Sequence, residues 1–180
     1  MDAGSLIKNK SICALPWTGF QLEANGDVKN CIMSKETLGN INDTHIKDII
    51  ANHRNIKLKE NMLRDCKPYN CSGCYLQEKD TNKISSISSR LYYLREIGAK
   101  SPLNLFDDPK NFSLKHVDLR WTNSCNQACV YCNHEYSSKW AQEIGVKVKS
   151  KKESRQEVKE FVFEHVAELE NVYLAGGEPM

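Results

Sequence analysis

The sequence predicts an α/β protein built in two parts. The first is a small α+β cysteine-bearing module, and the second, after a connector, is the opening βαβ unit of a parallel sheet. Three observations predict it. An Asn25-Gly26 turn sits between Cys13 and Cys31, a second cysteine group spans Cys66 to Cys74, and residues His116 to Ala175 spell strand, cysteine loop, helix, strand.

Taken in order, Trp17 to Ile32 reads as a hairpin. Its arms are Thr18 to Glu23 and Asp27 to Ile32, and Asn25-Gly26 suits a tight turn that needs positive φ. From Asp43, Ile46, Ile49 and Ile50 repeat at helical spacing, with Asp43 and Thr44 as the expected N-cap. A second short helix is expected over Asn55 to Leu63. Pro68 and Gly73 then predict an irregular loop across Cys66 to Cys74. Residues 1–76 form the module, which is too thin for a good core of its own, and modules of that size often lean on a metal. Residues 77–112 read as a connector with one helix near Ser86 to Ile97. In residues 113–180, His116 to Trp121 alternates apolar and polar side chains as a strand does. Glu153 to Leu169 carries Val158, Phe161, Val162, His165 and Val166 on one helical face, and Asn171 to Ala175 reads as a short buried strand.

Composition narrows the function classes. The 180 residues carry 25 Lys and Arg against 23 Asp and Glu, a net charge of +2, with 40% hydrophobic residues. This is an ordinary globular composition of about one domain plus an appendage. Charge so near balance gives no electrostatic reason to expect nucleic acid as a partner. No apolar stretch approaches the ~20 residues of a membrane span, and the first fifteen residues lack the apolar run of a signal peptide, so no membrane partner is expected and cytoplasm is the default location. The eight cysteines are too sparse for a disulfide scaffold and are clustered. In a reducing compartment such thiols point to metal, because converging thiolates repel one another without a cation between them.

Cys125, Cys129 and Cys132 form a C-x3-C-x2-C run at the C-terminal end of a predicted strand. Three close thiolates suit a cubane iron–sulfur cluster, each holding one iron and leaving a fourth iron open to a ligand. The spacing also fits one face of a helix, where the cysteines would merely pack. The neighbours Asn123, Asn126, Gln127 and Asn133 argue against that reading. At the end of the next strand stands Gly176-Gly177-Glu178-Pro179, where paired glycines let a backbone approach a ligand closely. His134 and the basic run Lys147, Lys149, Lys151, Lys152 and Arg155 read more simply as solvated surface. Trp17 and Trp121 read as packing beside the two cysteine sites.

The run Cys125 to Cys132 followed by a strand ending in Gly176 to Pro179 resembles the radical S-adenosylmethionine (radical SAM) superfamily over about residues 116–180. The resemblance implies a partial TIM barrel and a [4Fe–4S] cluster on Cys125, Cys129 and Cys132 whose open iron chelates S-adenosylmethionine. It places Tyr131 near the adenine and Gly176, Gly177, Glu178 and Pro179 at the methionine amino group. It further implies reductive cleavage of S-adenosylmethionine for hydrogen abstraction from a substrate left open, a peptide by analogy, and an external electron donor such as flavodoxin or ferredoxin. The module is similar to the SPASM/twitch auxiliary-cluster domains of those enzymes. It shares Cys13-x12-Gly26-x4-Cys31, Pro16-Trp17, Leu38-Gly39-Asn40-Ile41 and Cys71-x2-Cys74-Tyr75. This implies a second, auxiliary [4Fe–4S] cluster on Cys13, Cys31, Cys71 and Cys74. The module here precedes the barrel rather than following it, and Cys66 is a fifth thiol, either a replacement for Cys71 or a bystander. On ligand type alone a structural zinc site stays open, as does a subunit whose barrel another chain completes. A full barrel needs ~250 residues. The sequence therefore reads as the front part of a longer enzyme, inactive by itself.

Overall fold

The computed structural model describes residues 9–79, 87–147 and 152–177. A single five-stranded sheet organises them, in the order β3-β2-β1-β4-β5. Its strands are β1 (Gly19–Leu22), β2 (Asp27–Lys29), β3 (Gly39–Asn40), β4 (His116–Arg120) and β5 (Asn171–Ala175). The hairpin forms, with Gly26 at φ 95° in its turn, but its second arm ends at Lys29 rather than reaching Ile32. Gly26 N–H donates to the Glu23 carbonyl at 2.9 Å, and β1 and β2 pair antiparallel. The parallel pair β4–β5 also forms, Asp118 facing Tyr173.

One pairing was not foreseen. β1 runs parallel to β4, Gly19 opposite His116 and Gln21 opposite Asp118, so the module and the βαβ unit share one sheet. Gly19 makes this approach possible, because a Cβ there would collide with the His116 carbonyl oxygen.

The sheet has two unlike faces. Phe20, Leu22, Val28, Val117 and Leu119 pack against α2 (Ile46–Ile50) and α7 (Lys152–Glu164) through Ile46, Ile49, Val158 and Phe161. On the other face Gln21, His116, Asp118 and Arg120 are buried, His116 against Tyr93 and Arg120 against Tyr136. A second core lies beside the module. There the turn α1 (Leu15–Thr18), α3 (His53–Leu63) and α5 (Ser89–Glu96) bring together Leu15, Trp17, Leu58, Met62, Leu94 and Phe106. Trp17 meets Phe106 edge-on at 5.8 Å. The stretch read as a connector thus builds core.

Several expectations need correction. Cys66 to Cys74 is not wholly irregular: a 3-10 turn at Tyr69–Cys71 leads into α4 (Ser72–Lys79), which takes Gly73 and Cys74 into a helix. The N-cap of α2 is His45, not Asp43 or Thr44; its side chain makes no cap hydrogen bond, and Glu157 of α7 accepts from Ile46 N–H at 2.7 Å instead. Strand β5 is exposed rather than buried, because among the described residues nothing pairs its outer edge. A helix missing from the sequence reading, α6 (Ser138–Glu143), is capped by Ser137 and follows the cysteine run. Arg155 is no solvated residue: its guanidinium donates to the Ala24 carbonyl at 2.7 Å. Lys149 and Lys151 lie outside the described residues. Among those residues no helix is long and apolar enough to cross a membrane.

Candidate metal centre

The first group of thiols gathers at the margin of the second core. Cys13 precedes α1, Cys31 follows β2, and Cys71 and Cys74 stand at the start of α4. Cys13 and Cys74 are buried and the other two half-buried. Every pair among the four is close enough for charge on one thiol to penalise charge on the other. Burial is the larger cause. It pushes the Cys31 thiol up to about 11 and the Cys71 thiol to about 12, and raises those of Cys13 and Cys74. Such thiols ionise only if a cation compensates them, so a metal binding here would displace protons.

Nearby backbone N–H groups oppose this rise: that of Leu15 at Cys13, those of Met33 and Ser34 at Cys31, and those of Ser89 and Arg90, at the N-terminus of α5, at Cys74. A clamp holds that helix end in place. Glu78, one turn after Cys74 on α4, accepts from Arg90 at 2.6 and 2.8 Å and from Ser88 Oγ at 2.6 Å. Arg90 also donates to the Ile12 carbonyl at 2.9 Å. Burial pushes the Glu78 carboxyl up, but Arg90 and Ser88 outweigh it and hold it below the usual range. Cys66 stands outside this group, exposed, with its Sγ donating to the Arg64 carbonyl at 3.7 Å.

Cys125, Cys129 and Cys132 lie on irregular chain after β4, not on a helix, and all three are half-exposed. The packed-helix-face reading therefore fails. Cys125 and α6 are tied together: Ser138 Oγ accepts from Cys125 N–H and donates to its carbonyl, both at 3.0 Å. Trp140 Nε1 donates to the Cys129 carbonyl at 3.0 Å. Tyr131 is 93% exposed, and the neighbouring Cys129 thiol pushes its hydroxyl up.

The end of β5 comes directly onto this loop. Gly177 N–H donates to the Tyr136 carbonyl at 2.8 Å. At φ 57° a Cβ on Gly177 would stand 2.5 Å from the Ser124 carbonyl oxygen and 2.8 Å from that of Thr122. The cysteine loop and the glycine pair are thus in backbone contact. Glu178 and Pro179 lie outside the described residues. Among the described residues no three His, Cys, Asp or Glu side chains are placed to hold one metal ion, in either group.

Between the two groups runs a buried ionic network that the sequence reading missed. Arg120 meets Asp118 at 3.3 Å and Glu23 at 3.7 Å. Glu23 also accepts from the Tyr136 hydroxyl at 3.1 Å and from Gln21 at 3.0 Å. Burial, then the Glu23 charge, pushes the Tyr136 hydroxyl up to about 12. Period-two charge in His116-Val117-Asp118-Leu119-Arg120, directly before a cysteine run, was the signal for it. His134 lines a polar cavity of about 240 Å³ beside this network, with Glu23, Lys29 and Glu135.

Residues 13–75 match the SPASM family, an iron–sulfur cluster-binding domain. That span begins at Cys13 and closes just past Cys74, so it contains all four gathered thiols. No curated protein and no solved structure matches the chain.

Proposed function

We propose that this chain is an iron–sulfur protein of radical SAM type. In this reading Cys13, Cys31, Cys71 and Cys74 hold an auxiliary [4Fe–4S] cluster, and Cys125, Cys129 and Cys132 hold a second one that binds S-adenosylmethionine. The observation that carries the second site is the seating of Gly177 on the carbonyls of Thr122 and Ser124, which joins the glycine pair to the cysteine loop. Both lie at the C-terminal edge of the parallel pair β4–β5, where α/β folds place ligands.

Four thiols suit zinc as well as iron by ligand type. The match of residues 13–75 to an iron–sulfur cluster-binding domain is what favours iron at the first site.

When bound, the second cluster would supply an electron for reductive cleavage of S-adenosylmethionine. The chain's own residues bind and shield. Gly176 and Gly177, lacking side chains, let the end of β5 lie against the cysteine loop beside the methionine end, and Tyr131 offers a ring face to the adenine. The exposed β5 edge, with Val172, Tyr173 and Leu174 about half exposed, favours pairing with a further strand, from this chain or another, to cover the substrate.

Anaerobic reconstitution tests the reading. About eight irons per chain are expected, with absorption of two [4Fe–4S] clusters. Replacing Cys125, Cys129 and Cys132 by Ala removes about half of the iron, and Cys71→Ser abolishes the auxiliary cluster while Cys66→Ser keeps it. A colourless zinc protein, or a triple variant with undiminished iron, would refute it.

A further inference from the structure

The surface over the first thiol group has features its metal chemistry does not require. Ile32 and Met33 follow Cys31, Tyr69 precedes Cys71, and Leu76 follows Cys74, and all four are exposed, Tyr69 at 71%. The two segments form one surface. Met33 Cε lies 3.0 Å from where a Cβ on Gly73 would be, and Lys35 N–H donates to the Asn70 carbonyl at 3.3 Å. An apolar patch of this kind, set directly over buried redox ligands, marks an interaction site.

Its rim is basic. Lys35 Nζ sits 4.3 Å above the Tyr69 ring and Lys67 Nζ 5.2 Å from the Tyr75 ring. A groove of about 260 Å³ beside Tyr69 adds Arg54 and Lys57, with Glu36 as the acidic member. Arg64 and Asp65, also exposed, contribute one charge of each sign. The chain as a whole is only +2, so this face is locally more positive than the rest.

We propose that this face is the docking surface for an acidic one-electron carrier protein, which delivers its electron to the iron–sulfur site beneath. The proposal rests on the auxiliary cluster of the previous section. One electron leaves the reduced carrier and enters the site, and no bond or proton moves with it. Complexes of this kind are small, are centred on a few apolar contacts, and owe their association rate to rim charge. The apolar centre over the thiols shortens the path, and the four cations set the partner's sign.

The test is stopped-flow reduction of the reconstituted chain by reduced flavodoxin, an acidic carrier. The Cys125, Cys129, Cys132→Ala background leaves only iron held by residues 13–75 to be read. The double reversal Lys35→Glu, Lys67→Glu should lower the second-order rate constant about tenfold at low ionic strength and flatten its salt dependence. Dithionite, too small to need the surface, should reduce parent and variant alike, and Lys100→Glu, Lys110→Glu on another face should change nothing. If the reversed chain loads no iron, the neutral pair Lys35→Gln, Lys67→Gln decides by the same comparison. An unchanged rate with flavodoxin, or an equal loss in the Lys100, Lys110 control, would overturn the docking surface. A background chain that takes up no iron would overturn the auxiliary cluster and the surface with it.

Discussion

Lys59 is the most buried cation among the described residues, 1% exposed in the middle of α3. Its Nζ donates to the Asn111 carbonyl at 2.9 Å and lies 5.5 Å from the Trp17 ring and 5.8 Å from that of Phe112. Burial lowers its pKa from 10.5 to about 8, with Asp108 opposing weakly. The unfolded chain therefore binds the proton more tightly, and stability rises as pH climbs from 8 to 10.5. Below pH 8 the whole penalty of holding the charge, ~3 kcal/mol, is present. Lys59→Met fills similar volume and removes that penalty. It loses a hydrogen bond worth ~1 kcal/mol and ring contacts worth ~0.5–1 kcal/mol. The net expectation at pH 7.5 is a gain of about 1–2 kcal/mol, or roughly 3–6 °C in Tm for a chain of this size. Anaerobic melts of the iron-loaded proteins, followed by circular dichroism at pH 7.5, 9 and 10.5, check it. The gain should shrink with pH and reverse by pH 10.5. A variant less stable at pH 7.5, or a difference that does not move with pH, would refute the account.

Three further outcomes are expected. His116 is buried against Tyr93 at 4.8 Å with Nδ1 unpartnered, and burial lowers its pKa from 6.5 to about 4, so stability should drain away as pH falls through that window by up to ~3 kcal/mol; His116→Gln should flatten this acid slope in urea titrations. Arg90→Met leaves the half-buried Glu78 without its ion-pair partner and should cost about 1.5–3 kcal/mol in urea unfolding, much of it recovered when Glu78→Met is added. Gly177→Ala forces a side chain into left-handed backbone at ~1–2 kcal/mol and against the Ser124 carbonyl, so iron bound by the Cys125 loop should fall while iron bound by residues 13–75 stays.

What was legible in the sequence was local. Asn25-Gly26 announced its turn because positive φ is a property of the residue itself, and Ile46, Ile49 and Ile50 announced α2 because spacing carries the helix period. The cysteines between Cys13 and Cys74 announced iron–sulfur chemistry through residue type and spacing, and the family match covers that span. What stayed hidden depended on distant neighbours. Gly73 signalled a break, yet it sits in a helix whose place is fixed by Cys74, Tyr75 and the Glu78 clamp to Arg90, from a segment read as mere connector. Asn171 to Ala175 looked buried by hydropathy, but burial needs a partner strand, and hydropathy cannot say whether one is there. Lys59 reads as an ordinary surface lysine on α3 until Trp17 and Phe112 close over it.

The parallel pairing of β1 with β4 sets an order of events during synthesis. β1 leaves the ribosome about a hundred positions ahead of the strand it must join, and until then the hairpin presents an unpaired edge. The four early thiols, by contrast, are all translated before β4 exists, and each has the other three within the first 74 residues. Iron delivered at that stage would knot the early chain into shape and hold the hairpin ready, its free edge waiting for the strand that ends at Arg120. Cells short of iron would then accumulate nascent chains whose β1 edge is loose as well as unpaired, and that population, rather than the finished protein, is the one most exposed to aggregation.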